Sequence, residues 1–162
     1  MTINVKPLTI KPHQDKWVVP IEIMDKLGEF DLDVYAPFYR PFETAFNYYT
    51  ILDDGLNKPW YGRVFCHAPD RAETIKWLDK CAKHRNAIAL VYAKTDTRYF
   101  HDIIIPNAHA LLFIRGRVKF CYHDGTKADS AMLPSMLVAF DRDNALLLAE
   151  SDINGNFIWL RK

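Results

Sequence analysis

Glycine is scarce in this chain, with six in 162 residues. Neither a GxxxxGK[ST] loop nor a GxGxxG turn is present, so a nucleotide cradled on glycine backbone is not expected. The absence of GxSxG excludes the strained serine elbow of the α/β-hydrolases. Cysteine is also sparse: Cys66, Cys81 and Cys121 are an odd set, which argues against a disulfide framework and for a reducing compartment. No apolar run approaches the ~20 residues of a membrane helix. The opening MTINVKPLTIKPHQDKW lacks the apolar centre of a signal peptide. A cytoplasmic protein with no membrane partner is therefore expected. Charge of one sign is not in excess either, since 21 Lys and Arg face 20 Asp and Glu for a net +1. No global basic field points to nucleic acid, although a local basic face is compatible with that balance.

What is present is apolar: 49% of residues are hydrophobic and 25% charged, enough for one globular core. Residues 1–16 are polar and read as an N-terminal arm. Residues 17–162 read as a single domain, with 141–162 as a C-terminal hairpin extension. VVPIEIMDKLGEF predicts a helix, with Pro20 suited to its first turn, Ile21, Met24 and Leu27 on one face and Gly28 as the stop. FDLDVYA predicts a short strand, and the aromatic stretch 35–50, broken by Pro37 and Pro41, a loop. GRVFCHAP reads as a strand running into a loop, and AETIKWLDKCAKHR as an amphipathic helix. NAIALVYA is continuous and apolar, as a strand buried on both faces would be. DTRYFHDIIIPN reads as a helix. HALLFIRG, RVKFCYH and MLPSMLVAFD read as strands. LLLAES and FIWLRK read as a hairpin turning at Asn154-Gly155. Strands alternating with helices predict an α/β sheet with helices on its faces. Ligands of such sheets lie beyond the carboxyl ends of the strands. Asp33 and the loop His67-Ala68-Pro69-Asp70 fit that rule best.

Cys66-His67, Cys81-x-x-His84 and Cys121-x-His123 offer zinc-ligand chemistry. Their wide separation makes semi-buried thiols beside surface histidines the favoured reading, and no metal is expected.

Several blocks, in order, carry a resemblance. These are Trp17-Val18-Val19-Pro20, Phe30-Asp31-Leu32-Asp33-Val34-Tyr35-Ala36, and Asp53-Asp54-Gly55-Leu56 followed by Trp60, Gly62, Arg63 and Val64. Thr95-Asp96-Thr97 with Tyr99-Phe100-His101, Gly116-Arg117-Val118-Lys119-Phe120 and Pro134-Ser135 follow. Together they resemble the phage-type, Dam-like DNA adenine-N6 methyltransferases over residues 17–140. The resemblance implies a Rossmann-like, S-adenosylmethionine-dependent methyltransferase fold with a mostly parallel central sheet and flanking helices. It implies S-adenosylmethionine as cofactor and double-stranded DNA as partner, in the cytoplasm of a phage's host. Trp17, Pro20, Asp31, Asp33 and Ala36 correspond to cofactor-binding positions. Arg98, Arg117 and Lys119 are the candidate phosphate contacts; Arg117 and Lys119 alternate, so they share one side of an extended segment.

The family's catalytic block, Asn/Asp-Pro-Pro-Tyr, falls on His67-Ala68-Pro69-Asp70, of which Pro69 alone is retained. In such enzymes the target base is flipped out of the duplex. The first motif residue and a backbone carbonyl accept hydrogen bonds from the adenine amino group, and the final aromatic stacks on the base. A neutral imidazole nitrogen of His67 can accept such a bond, so activity would fall as the pH drops. Ala68 gives up a rigid proline, and Asp70 cannot stack. Tyr35, Tyr39, Tyr48, Tyr49, Trp60 and Tyr61 are candidate replacements for the missing ring. Two readings remain open: a working adenine methyltransferase with an unusual site, and a catalytically silent relative that binds DNA, cofactor or a host protein.

Overall fold

The computed structural model describes residues 17–162; the expected arm, 1–16, lies outside the described residues. Seven strands form one sheet in the order β2-β1-β3-β4-β6-β5-β7. They are β1 (Leu32–Asp33), β2 (Asn47–Tyr48), β3 (Val64–Cys66), β4 (Ala87–Tyr92), β5 (Ala110–Ile114), β6 (Ser135–Ala139) and β7 (Gly155–Trp159). The helices are α1 (Ile21–Leu27), α2 (Thr74–His84), a π-helical segment Tyr99–Ile104 running into α3 (Ile105–Asn107), and α4 (Arg142–Glu150).

The sheet is mixed, which corrects the mostly parallel sheet expected from the resemblance. β2, β1, β3 and β4 pair in parallel, but β6 runs antiparallel between β4 and β5, and β7 antiparallel to β5. The antiparallel ladders are the longer ones. The pairing of β4 with β6 joins residues 88–92 to 135–139, nearly fifty positions apart in the chain, so no local pattern announces it.

β4 behaves as its apolar run predicts. Ala87, Ala89 and Val91 pack on one face with Trp77, Leu78, Cys81 and Ala82 of α2. Ile88 and Leu90 pack on the other with Met24 and Leu27 of α1 and Ala145 and Leu148 of α4. The sheet is thus covered on both sides. In α1, Pro20 occupies the N-cap position rather than the first turn, and Ile21 faces solvent while Met24 and Leu27 are buried.

The C-terminal hairpin is also corrected. Residues 146–150 lie in α4 and Ser151 caps its end; the helix is started by Asp141, whose carboxylate accepts the Asn144 N–H at 2.9 Å. That cap overrides the strand-like Leu run. β7 pairs with β5 instead of with 146–151. Gly155 does not sit in a turn: it begins β7 against Phe113, where a Cβ would lie 2.2 Å from the Phe113 carbonyl oxygen. Residues 117–123, expected as a strand, are extended but bridge only at Cys121, to Val18 and to Lys127. The alternation survives: Val118 and Phe120 are buried, Arg117 and Lys119 exposed.

Candidate functional site

The chain leaves β1 for β2 on one side of the sheet and returns to β3 on the other. The crevice between the carboxyl ends of β1 and β3 is therefore the topological switch point. A cavity of about 230 Å³ opens there, lined by Trp17, Tyr35, Ile51, residues 67–71, Thr74, Leu90, Val91, Tyr92, Tyr99, Phe120 and Ser135. All four candidate catalytic residues, His67, Ala68, Pro69 and Asp70, stand in its wall.

Each is held by identifiable contacts. The His67 ring lies parallel to Phe120, with centroids 5.2 Å apart and an interplanar angle of 2°. Ala68 and Pro69 are buried. The Pro69 carbonyl accepts the Arg71 N–H at 3.1 Å and the hydroxyl of buried Thr74. The Thr74 oxygen in turn accepts the Arg71 N–H at 3.1 Å. These bonds fasten the loop to the first turn of α2 and restore the stiffness that an alanine at position 68 gives up. Asp70 pairs with Lys94, Nζ to Oδ1 2.6 Å, and so lies at the rim rather than across the cavity.

Several aromatic rings line the cavity. Of the aromatic residues expected to compensate, Tyr35 reaches the cavity; Tyr39, Tyr48, Tyr49, Trp60 and Tyr61 do not line it. Trp17, Tyr92, Tyr99 and Phe120 line it as well. The Tyr99 hydroxyl donates to the Tyr92 carbonyl at 2.8 Å. Burial, aided by the Asp70 carboxylate, pushes both phenols above their ordinary pKa, so both stay neutral donors over a wide pH range.

The cofactor candidates disperse. Trp17 lines the cavity and stacks on Tyr122, centroids 5.5 Å apart. Asp33 stands at the end of β1 but is 2% exposed. Its carboxylate accepts the Tyr35 N–H at 3.1 Å and the Thr44 hydroxyl, and it shapes the turn that carries Tyr35 into the wall. Ala36 is buried, donating its N–H to the Tyr49 carbonyl at 2.8 Å. Pro20 caps α1. Asp31 precedes β1, at the opposite end of the strands, and accepts the Arg63 N–H at 2.7 Å. The basic candidates are exposed and adjoin the walls in sequence: Arg98 precedes Tyr99, and Lys119 precedes Phe120. Arg98 pairs with Asp102 at 3.6 Å; Arg117 donates to the Met132 carbonyl at 2.8 Å. Among the described residues no three of His, Cys, Asp and Glu are placed to hold a metal ion, so the Cys-His pairs do not converge.

Sequence reasoning missed Arg71, Thr74, Tyr92 and Ser135. Tyr92 could have been found, since it ends β4 and the carboxyl-end rule applies to it. Ser135 was singled out in the sequence with Pro134, but not as a wall residue, because its place there depends on the β4·β6 pairing.

A family model described as DNA N-6-adenine-methyltransferase (Dam) matches residues 6–150. The chain belongs to the Dam family. The match takes in every strand except β7, and the whole cavity wall falls within it. No curated protein and no solved structure matches the chain. As a Dam-family protein it is DNA adenine methyltransferase-like, and among the described residues no helix is long and apolar enough to cross a membrane.

Proposed function

We infer that this Dam-family chain is a phage-encoded, S-adenosylmethionine-dependent methyltransferase acting on the N6 amino group of adenine in double-stranded DNA, in the host cytoplasm. The observation that carries this reading is the convergence of the altered loop 67–70 with Tyr35, Trp17, Tyr92, Tyr99 and Phe120 on one cavity at the switch point. An aromatic slot with few polar groups suits a flipped base. His67, held flat against Phe120, offers a ring nitrogen to accept a hydrogen bond from the adenine amino group. Tyr35, Tyr92 or Trp17 supplies the stacking face that Asp70 lacks, worth about 1–3 kcal/mol per base. Arg98, Arg117 and Lys119 meet phosphates beside the mouth.

When bound, the cofactor supplies a methyl group on a cationic sulfonium. The aromatic faces of Trp17 and Tyr35 fit that charge. Asp33 fits less directly, acting through the position of Tyr35. Thr74 holds the loop.

A second reading, a catalytically silent binder of DNA, cofactor or a host protein, is favoured by one observation: Asp33 engages Tyr35 and Thr44 and does not line the cavity. Calorimetry with S-adenosylmethionine, followed by transfer of labelled methyl groups to DNA, separates the two. The enzyme reading expects micromolar binding and transfer that drops about 10²-fold or more in His67→Ala, as for other positioned proton acceptors. Absence of binding at millimolar cofactor leaves the silent binder.

A further inference from the structure

Ser135 has the first position in β6, directly across from Tyr92, the last residue of β4. Directly opposed residues share a face of the sheet. Ser135 therefore lies on the face of Leu90 and Leu137, beneath Phe120, and it lines the same cavity as Leu90 and Phe120. It is 1% exposed. Its hydroxyl has no hydrogen-bond partner among the described residues. The backbone around it is satisfied: the Pro134 carbonyl accepts the Ala93 N–H at 2.8 Å.

A buried hydroxyl without a partner is destabilising. Alanine would fit the same position without that penalty. A serine hydroxyl buried without a partner, at the end of two central strands and in the wall of an aromatic slot, points to a partner that arrives with a ligand. The neighbouring walls select that ligand. The parallel His67–Phe120 pair and the Tyr35 and Tyr92 rings accept a flat heteroaromatic. A hydroxyl at the edge of such a slot reads a ring nitrogen.

We propose that Ser135 is a specificity-determining residue whose hydroxyl donates to a ring nitrogen of the purine held in this cavity. This rests on the reading that the cavity takes the target base. It adds which protein group discriminates a purine by the atoms of its ring, independently of the amino group that His67 faces.

The experiment compares wild type and Ser135→Ala, binding adenosine and its 1-deaza, 3-deaza and 7-deaza analogues by ligand-observed NMR titration, alongside thermal unfolding of both proteins without ligand. In wild type, one deaza analogue is expected to bind about tenfold more weakly than adenosine, the effect of one lost hydrogen bond that leaves a buried donor unsatisfied. In Ser135→Ala, adenosine weakens by the same factor and that analogue no longer differs from it, the coupling a direct contact produces. The variant's melting temperature is expected to equal or exceed that of wild type. If both proteins discriminate the analogues alike, or if the variant melts lower and loses affinity equally for all four ligands, Ser135 is structural and the proposal fails while the base-binding site stands. If wild type binds none of the four, the site reading fails with it.

Discussion

At the scale of single residues, Phe120 is the side chain on which most depends. It is buried, packs in the core beside Leu90, and is the surface on which His67 lies. Phe120→Ala is expected to lower stability by about 3–5 kcal/mol and to remove the ring on which the imidazole lies. A denaturant melt checks the first, and the His67 ring resonances, broadened or doubled, the second. Phe120→Leu separates the two effects, because it keeps most of the volume and removes the stacking face. Asp70 gives the opposite expectation. Its bridge to Lys94 is partly exposed on both sides, so Asp70→Asn should change stability by less than about 1 kcal/mol. A larger loss in the same melt would mean that the pair holds the loop, which the geometry assigns to Thr74.

At the scale of elements, the joint between β3 and α2 is a small network centred on one hydroxyl. Thr74→Val keeps the shape and removes the hydroxyl's bonds to the Pro69 carbonyl and the Arg71 N–H, which keep only their bond to each other, for an expected loss of about 1 kcal/mol. Amide exchange of residues 67–73 should rise before that of β4; uniform exchange across the molecule would contradict the local role. The rim of β4 has its own signature in alkali. Tyr92 and Tyr99 have raised folded-state pKa values, so the unfolded chain releases these protons first. Stability is flat below the ordinary tyrosine value near about 10 and falls as the pH rises through the folded values. Melting temperatures between pH 9 and 12 test this, and the fall should be shallower in Tyr99→Phe.

The elements also show how far the sequence could be read. β4 was legible because Ala87 to Val91 are apolar on both faces, and α2 because its buried residues recur at helical spacing. The loop 67–70 was legible because β3 is short, apolar and followed by proline. Residues 146–151 were misread because three consecutive leucines match a buried strand as well as a helix, and the deciding signal, Asp141 capping Asn144, lies five residues earlier. Residues 117–123 alternate as a strand should, yet no neighbour completes a ladder with them. Alternation reports which side is buried, not whether a partner exists. The cavity was only half legible for a related reason: its walls come from eight separated segments, and Tyr92 and Ser135 meet only through a pairing that spans forty-odd residues.

At the scale of the whole molecule, a net charge of +1 leaves DNA affinity to a few local cations. Each phosphate contact contributes about −0.9 to the slope of log affinity against log salt. Lys119→Ala and Arg98→Ala should each reduce that slope by about one, with little change in sequence preference. Unchanged slopes in a salt titration would assign both to solvent.

The reversed strand β6 has a consequence for how the chain is made. Among the described residues it is the one strand that joins the block β2-β1-β3-β4 to the pair β5·β7, and all five of its residues are buried. A ribosome delivers both blocks' leading strands, β4 and β5, well before residue 135. Until then β4 presents a bare apolar edge, the kind of edge that recruits other chains. Nascent chains halted before residue 135 should therefore bind chaperones or aggregate, and those released after β6 should not. The five residues that close the sheet also complete the cavity wall through Ser135, so a binding-competent slot and a protected sheet edge are acquired in the same moment of synthesis.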